Sequence, residues 1–176
     1  MVLKPSEFAP LSANLLARII DEAGVPAGVF NMVYGDGAAV GPLLSSDPRI
    51  DVVSLTGSTR AGESVSREAA STIKRVSLEL GGKSANILLP GCDLEQAVPH
   101  GVRSMMTNTG QSCNAPSRML VPADQLAEAE RIATQVCDKV VVGDPADNGT
   151  VMGPIANGRQ YQRVQAMIEK GLEEGA

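Results

Sequence analysis

One of the three cysteines lies in a stretch that predicts a turn. Cys113 belongs to TGQSCNAPSR, residues 109–118, with a glycine three residues before it and a proline three residues after it. Glycine and proline favour turns, and a turn would expose the thiol, although free cysteine is usually a small buried hydrophobic residue. Papain-like nucleophiles pair with a histidine, but this stretch matches none of their signatures. Cys113 is therefore a candidate nucleophile without a histidine partner, and His100 is interpreted as a helix-surface residue.

A carboxylate with an unusual setting lies upstream. Glu79 stands in LELGGKS, residues 78–84, among apolar residues at the end of a predicted strand and just before two glycines. If the side chain were buried, desolvation would raise its pKa and suit it to act as a general base. If the strand lies at a sheet edge, Glu79 simply faces solvent, and the residues alone favour this second interpretation.

A third stretch, TGSTRAG at residues 56–62, connects a predicted strand to a predicted helix. Gly57 allows a tight turn there, and Ser58 or Thr59 can cap the helix. The backbone N–H groups at such a helix end favour an anion, for example a pyrophosphate. The stretch is not the GxGxxG fingerprint, so a simple helix cap without a ligand remains the alternative.

The surrounding pattern indicates which elements position these residues. Apolar runs predict strands at 28–35, 51–57, 74–80, 85–90 and 117–122. Helical spacing predicts a first helix that ends before Gly24 and for which Ser12 is a possible cap. It predicts further helices at 38–46, at 58–72, from Asp93 to about Asn108 with a break at Val98 before Pro99, along 126–140, and along 164–172. Alternating strands and helices predict an α/β fold with a parallel sheet flanked by helices.

Composition narrows the class of protein. The 176 residues have a net charge of −5, which argues against a nucleic-acid binder. No apolar run approaches the roughly 20 residues that span a membrane, and the N-terminus lacks the apolar region of a signal peptide. The three cysteines have no paired spacing, which favours reduced thiols and a cytoplasmic location. Without a CxxC or HExxH motif, no metal site is expected.

Taken together, these stretches resemble the NAD(P)-dependent aldehyde dehydrogenase superfamily. The resemblance covers essentially the whole chain and rests on KPSE at 4–7, TGST at 56–59, LELGGKS at 78–84, GQSC at 110–113, GDP at 143–145 and MGP at 152–154. Glu79 and Cys113 are 34 positions apart, as in family members. The resemblance implies that Cys113 is the nucleophile and Glu79 the base in the oxidation of an aldehyde to a carboxylic acid. It also implies that the backbone N–H of Cys113 is half of an oxyanion hole.

The resemblance implies a cofactor site as well. Lys4 and Glu7 would hold the adenosine ribose, Ser58 would contact the pyrophosphate, and Leu80 and Gly81 would lie near the nicotinamide. The full set of expected cofactor-binding residues is Lys4, Ser6, Glu7, Gly57, Ser58, Leu80 and Gly81. NAD is expected rather than NADP, because the Glu7 carboxylate can accept a bond from the ribose 2′-hydroxyl and would repel a 2′-phosphate.

The resemblance further divides the chain into two parts. Residues 1–81 are expected to form a partial, Rossmann-like NAD-binding domain, and residues 82–176 part of a second, catalytic α/β domain. Three family features are missing: a Pro-Trp-Asn segment whose Asn completes the oxyanion hole, a Glu-x-Phe-Gly-Pro segment that holds the nicotinamide ribose, and the oligomerisation strands. The chain therefore looks like a fragment.

A fragment of this kind is expected to oxidise aldehydes poorly by itself and to form a homo-oligomer through exposed sheet edges. Two alternatives remain open, namely a non-catalytic remnant that serves as a binding module and a cysteine-dependent esterase. Decay of the catalytic residues would indicate a remnant, but Cys113 and Glu79 are both intact. The sequence does not identify the aldehyde.

Overall fold

The computed structural model describes residues 1–175, and the chain divides into two compact units. The first unit is Met1–Leu80 and the second begins at Gly81. No helix of the described residues is long and apolar enough to cross a membrane.

The first unit alternates strands and helices. Its elements are β1 (Val2–Leu3), α1 (Leu11–Glu22), β2 (Asn31–Met32), α2 (Gly37–Ser46), β3 (Val52–Gly57), α3 (Thr59–Ala70) and β4 (Arg75–Leu80). β1 pairs in parallel with β2, and β3 with β4. β3 and β4 bury one face only, because residues alternate between exposed and half-buried along both strands. α3 contacts both strands and contributes the buried Val65 and Ala69.

A buried lysine secures the connection into β4. Lys74 is 9% exposed, and its Nζ donates to the carbonyl oxygen of Asp47 at 2.6 Å. Asp47 is the C-cap residue that directly follows α2. A buried ammonium requires such a partner, so this bond ties the start of β4 to the end of α2.

The second unit has a larger apolar core. Its elements are β5 (Ala85–Ile87), α4 (Leu94–Met106), β6 (Arg118–Leu120), α5 (Leu126–Cys137) and α6 (Gly158–Glu173), with short 3₁₀ turns at Thr107–Gly110 and Ala123–Gln125. β5 pairs in parallel with β6. The core consists of Leu88, Val98, Val102, Ala129 and Ile132.

The α/β class with parallel strands is confirmed. Within the described residues the strands form three separate two-stranded pairs. The predicted break at Val98 is wrong, because α4 continues through Pro99 and ends at Met106. Val98 and Val102 are buried in the core, and this packing holds the helix together although Pro99 has no N–H to donate.

The predicted cap at Ser12 is also wrong. The backbone is already helical at Pro10, and α1 starts at Leu11, which places Ser12 inside the first turn. At its other end α1 stops at Glu22, and Gly24 follows with φ +75°. Glycine tolerates this left-handed conformation, so its predicted role as the stop of the helix is confirmed.

Candidate active site

The carboxyl ends of β3 and β4 lie side by side. In their register Thr56 is opposite Glu79, and Gly57 is opposite Leu80. Glu79 is exposed, so the structure places its side chain towards solvent within the first unit. Ligands of parallel α/β folds bind beyond the carboxyl ends of the strands. The pairing therefore gathers Gly57, Glu79 and Leu80 where a ligand could reach them.

Ser58 begins α3 directly after this strand end. Its Oγ accepts a hydrogen bond from the backbone N–H of Ala61 at 3.2 Å, as the sequence predicted for a helix cap. The hydroxyl of Ser58 can still donate its own proton. A helix N-terminus carries partial positive charge and open N–H groups, so the start of α3 suits the phosphate groups of a dinucleotide.

Gly62 holds α3 close to β4, a role that the sequence analysis missed. A Cβ at this buried position would lie 3.0 and 3.1 Å from the two methyl carbons of Leu80 and 3.4 Å from a methyl carbon of Leu78. Only a residue without a side chain therefore fits without displacing Leu80. The TRAG sequence contains this glycine, but its spacing does not tell a packing glycine from a turn glycine.

Lys4 and Glu7 meet beyond the β1–β2 pair. The Nζ of Lys4 donates to the carbonyl oxygens of Pro5 at 2.6 Å and Gly35 at 3.0 Å, and to Oε2 of Glu7 at 3.4 Å. A backbone hydrogen bond, followed by the bond from Lys4, lowers the pKa of Glu7 from its ordinary value. Glu7 therefore presents an ionised carboxylate beside an ammonium group. The carbonyl of Gly35 is a partner of Lys4 that the sequence analysis missed.

Ser6 and Asp36 complete this end of the first unit. The Oγ of the exposed Ser6 accepts from the backbone N–H of Phe8 at 3.3 Å, so the hydroxyl faces a turn of its own segment. Asp36 caps α2, since its Oδ1 accepts from the N–H of Ala38 at 2.7 Å. Both helices begin with a capping side chain, but Asp36 is a carboxylate that would repel an anion at the start of α2, whereas Ser58 is neutral. The start of α3 is therefore the better position for a bound anion.

Cys113 lies in an exposed turn of the second unit, as predicted. Its backbone N–H has no hydrogen-bond acceptor among residues 1–175. The turn is closed by a bond from the N–H of Ala115 to the carbonyl of Ser112 at 3.2 Å, and Ala115 is buried. A Cβ on Gly82 would lie 3.7 Å from the carbonyl oxygen of Cys113, so the GGKS segment runs beside the turn.

The chain approaches Cys113 through a left-handed turn. Asn108 and Thr109 have φ values of 55° and 60°, and Gly110 follows with 69°. The left-handed conformation costs roughly 1–2 kcal/mol for each residue with a Cβ, and it is least expected for a β-branched residue such as Thr109. Local side-chain bonds hold the turn, among them one from Nδ2 of Asn108 to the carbonyl of Gln111 at 3.2 Å.

The other two cysteines differ in setting. Cys92 is half-buried in the loop before α4 and packs against the core, whereas Cys137 is the exposed last residue of α5. Among the described cysteines, Cys113 therefore combines exposure with a position in a turn.

The structure gathers the expected site residues into three places. Lys4, Ser6 and Glu7 follow β1; Gly57 and Ser58 end β3 next to Glu79 and Leu80; Gly81 continues from Leu80 into the second unit, which also contains Cys113. Glu79 and Cys113 thus belong to different units.

The chain is similar to known proteins along its whole length. The model of the aldehyde dehydrogenase family matches residues 1–176. The chain is 64% identical to a 3-succinoylsemialdehyde-pyridine dehydrogenase from Pseudomonas sp over 176 residues, which is 100% of this chain and 37% of that protein. The chain therefore spans little more than a third of the length of this relative.

Two solved structures are similar over 99% of the chain. One is a variant of aldehyde dehydrogenase C from Pseudomonas syringae, determined with NAD+ and octanal, with 55% identity, a TM-score of 0.96 and 36% of that chain covered. The other is an NADP dependent enzyme from E. coli, with 39% identity, a TM-score of 0.93 and 36% of that chain covered. The family model spans the chain from end to end, and the chain has the fold of these enzymes. The chain therefore belongs to the aldehyde dehydrogenase family.

Proposed function

We propose that this chain supplies the nucleophile, the general base and most of the dinucleotide contacts of an NAD-linked aldehyde dehydrogenase. The observation that carries the proposal is the exposed Cys113, set in a closed turn that leaves its backbone N–H open. Such a turn lets an aldehyde approach the thiolate while the N–H donates to the oxygen that becomes negative.

Cys113 and Glu79 divide the chemistry between them. The thiolate of Cys113 forms a bond to the carbonyl carbon, and the carbonyl oxygen becomes an oxyanion that accepts from the Cys113 N–H. NAD, when bound, supplies the hydride acceptor that turns this adduct into a thioester. Glu79 then takes a proton from water, the water oxygen attacks the thioester, and the carbon–sulfur bond breaks to release a carboxylic acid and the thiolate.

The residues of the first unit fit a dinucleotide. The twelve-residue helix α3 offers open N–H groups and the Ser58 hydroxyl to the phosphates, while Gly62 keeps that helix end close to β4. Lys4 and Glu7 form an ion pair whose donor and acceptor match the hydroxyls of a ribose. Glu7 carries the proposed preference for NAD, because a 2′-phosphate would meet its negative charge.

The substrate is proposed to be an aldehyde of the kind that the relatives of this chain use. The names of those relatives point to 3-succinoylsemialdehyde-pyridine and octanal as the first compounds to assay. The 176 residues by themselves are expected to oxidise both poorly. They span 37% of the pyridine-semialdehyde enzyme, and the resemblance places the second oxyanion donor outside them, a loss of roughly 10²–10³ in turnover.

Self-association is proposed as well. Apolar side chains on strands are exposed, with Val52 at 54%, Ile87 at 62% and Leu120 at 51%, and unpaired strand edges favour pairing between chains. Light scattering of the purified chain tests this, and a monodisperse monomer would contradict it.

The catalytic proposal is tested by acylation, which needs no cofactor. The chain is mixed with p-nitrophenyl acetate, and the acetylated cysteine is identified by mass spectrometry in the original chain and in Glu79→Gln. We expect the acetyl group on Cys113, and slower hydrolysis of that thioester in Glu79→Gln by about 10²-fold, the usual worth of a general base.

Glu63→Gln is the matched control, since Glu63 is an exposed carboxylate on α3 of the same unit. Acetylation of Cys92 or Cys137 at the same rate as Cys113 would overturn the role of Cys113. Equal hydrolysis in Glu79→Gln and Glu63→Gln would overturn the role of Glu79.

A further inference from the structure

The turn before Cys113 is attached to a distant segment of the second unit. The Oγ1 of Thr109 donates to the carbonyl of Gly153 at 3.2 Å. The backbone N–H of Ala156 donates to Oε1 of Gln111 at 2.9 Å. Both bonds join residues more than forty positions apart, so they are tertiary contacts rather than features of the turn itself.

The segment that receives these bonds is itself fixed at both ends. On one side, the N–H of Gly143 donates to the carbonyl of Met152 at 3.0 Å, and the N–H of Met152 donates to the carbonyl of Val141 at 3.1 Å. On the other side, Asn157 caps α6, with its Oδ1 accepting from the N–H of Gln160 at 2.9 Å. Residues 153–156 therefore form a short support that lies between two hydrogen-bonded segments, residues 141–152 and the start of α6.

The backbone that these bonds hold is strained. Asn108 and Thr109 adopt left-handed φ values that side chains rarely take, and strain of this kind persists only where the surroundings impose it. The Nε2 of Gln111 adds a bond to the carbonyl of Asn108 at 3.1 Å, which closes the turn from within. Gln111 thus connects the strained residues on one side to Ala156 on the other, two positions before Cys113.

We propose that Thr109 and Gln111 are positioning residues, which fix the direction of the Cys113 thiol by tying its turn to residues 153–156. The proposal rests on the proposed function for what the thiol does, since an attacking sulfur must approach the carbonyl carbon along one direction. Neither residue bonds to Cys113, so their effect passes through the backbone of the turn. When either tie is removed, the strained turn relaxes and the thiol samples several directions.

Spin labelling of Cys113 measures this directly. A nitroxide is attached to Cys113 in a chain whose other cysteines are replaced by Cys92→Ala and Cys137→Ser, and its mobility is recorded by electron paramagnetic resonance. Gln111→Ala removes the hydrogen bond between residue 111 and Ala156, and Thr109→Val removes the one between residue 109 and Gly153. Thr109→Ser keeps the hydroxyl donor. Gln96→Ala is the matched control, because Gln96 is exposed and its Nε2 bonds locally to Oδ2 of Asp93 at 2.8 Å.

We expect the mobile fraction of the label to rise about fivefold in Thr109→Val, the shift that corresponds to one lost hydrogen bond. The rise should be larger in Gln111→Ala, which loses the bond from the N–H of Ala156 and the bond to the carbonyl of Asn108. Thr109→Ser and Gln96→Ala should keep the original spectrum, and the thermal midpoint should stay the same in all four. An unchanged spectrum in both tie variants would overturn the proposal. So would a rise in Gln96→Ala, or a fall of the midpoint in step with the mobility, which would make the two residues general stabilisers.

The outcome is independent of the catalytic proposal. The label reports on geometry without an ester, an aldehyde or NAD, so a failed acylation test leaves this result standing. A failed labelling test likewise leaves Cys113 and Glu79 in their proposed roles.

Discussion

The two units of this chain differ in how many hydrophobic residues they bury and in how many elements contribute them. In the first unit the buried hydrophobic residues both come from α3, and no residue of α1 is buried. In the second unit a cluster joins the loop after β5 to α4 and α5. The buried hydrophobic residues are Val65 and Ala69 in the first unit and Leu88, Val98, Val102, Ala115, Ala129 and Ile132 in the second.

The two units also hold their functional residues by different means. In the first, the register of β3 and β4 sets Gly57 opposite Leu80 through backbone bonds alone. In the second, Cys113 follows a strained left-handed turn that individual side chains hold in place. The position of a residue at a strand end is set by the backbone ladder, whereas a strained turn depends on single hydrogen bonds of its side chains.

Replacing one buried valine by alanine in each unit gives the largest expected difference in the free energy of unfolding. Val98 is 0% exposed within the second core, and Val65 is 9% exposed on α3. Val98→Ala should lower the free energy of unfolding of the second unit by about 2–3 kcal/mol through lost burial and the cavity it leaves. Val65→Ala should cost the first unit about 1 kcal/mol, because its surroundings are more open. Hydrogen exchange resolved by unit measures both, and equal losses would remove the contrast.

Close packing in the first unit is tested at Gly62. Gly62→Ala should destabilise that unit by about 1–2 kcal/mol, because the new methyl group displaces the side chain of Leu80. Gly41→Ala is the control, since Gly41 lies in α2 with no atom within 4 Å of a new Cβ and alanine favours a helix. Urea titration followed by circular dichroism compares the two variants. A Gly62→Ala chain as stable as Gly41→Ala would refute the packing role.

The exposure of the nucleophile turn is tested by alkylation. Iodoacetamide should label Cys113 at least about tenfold faster than Cys92, because Cys92 is half-buried against the core and reactivity requires access. Cys137, exposed on the last turn of α5, should fall between them. Mass spectrometry of peptides after short labelling times gives the three rates, and faster labelling of Cys92 or Cys137 would contradict the prediction.

The proposed role of Glu7 in the cofactor site is tested by the preference of the chain for NAD over NADP. Glu7 should make the chain bind NAD about fivefold more tightly than NADP, and Glu7→Gln should reduce this preference by removing the charge that faces the 2′-phosphate. Glu22→Gln, on an exposed carboxylate of α1, serves as the control. Calorimetric titration with each cofactor measures the ratio. Equal binding of both cofactors by the original chain would show that Glu7 does not select.

The smallest effect concerns acid stability of the first unit. Hydrogen bonds from the side chain and backbone of Arg49 hold the pKa of Asp47 far below its ordinary value of 3.8. Because the pKa is lowered by folding, Asp47 stabilises the unit above pH 3.8, and this contribution is lost as the pH falls below that value. The loss should be small, since Arg49 is 87% exposed and water screens the pair. Asp47→Asn should unfold with a weaker dependence on pH in this range, as measured by hydrogen exchange.

Local sequence was sufficient for features that depend on neighbouring residues. The apolar runs at 51–57 and 74–80 predicted β3 and β4, and Ser58, one of the two residues expected to cap α3, forms that cap. The glycine and proline around Cys113 predicted its exposed turn. These features follow from backbone preferences and short hydrogen bonds, which residues a few positions apart determine.

Only the tertiary structure decided the features that join distant residues. α4 continues through Pro99 because Val98 and Val102 are buried in a core shared with α5. Gly62 is required because Leu80 lies against it, and Thr109 stays left-handed beside a support that includes Gly153. Packing and tertiary hydrogen bonds override local preference when they recover more free energy than the strain costs, and the partners that provide them are not visible in a local pattern.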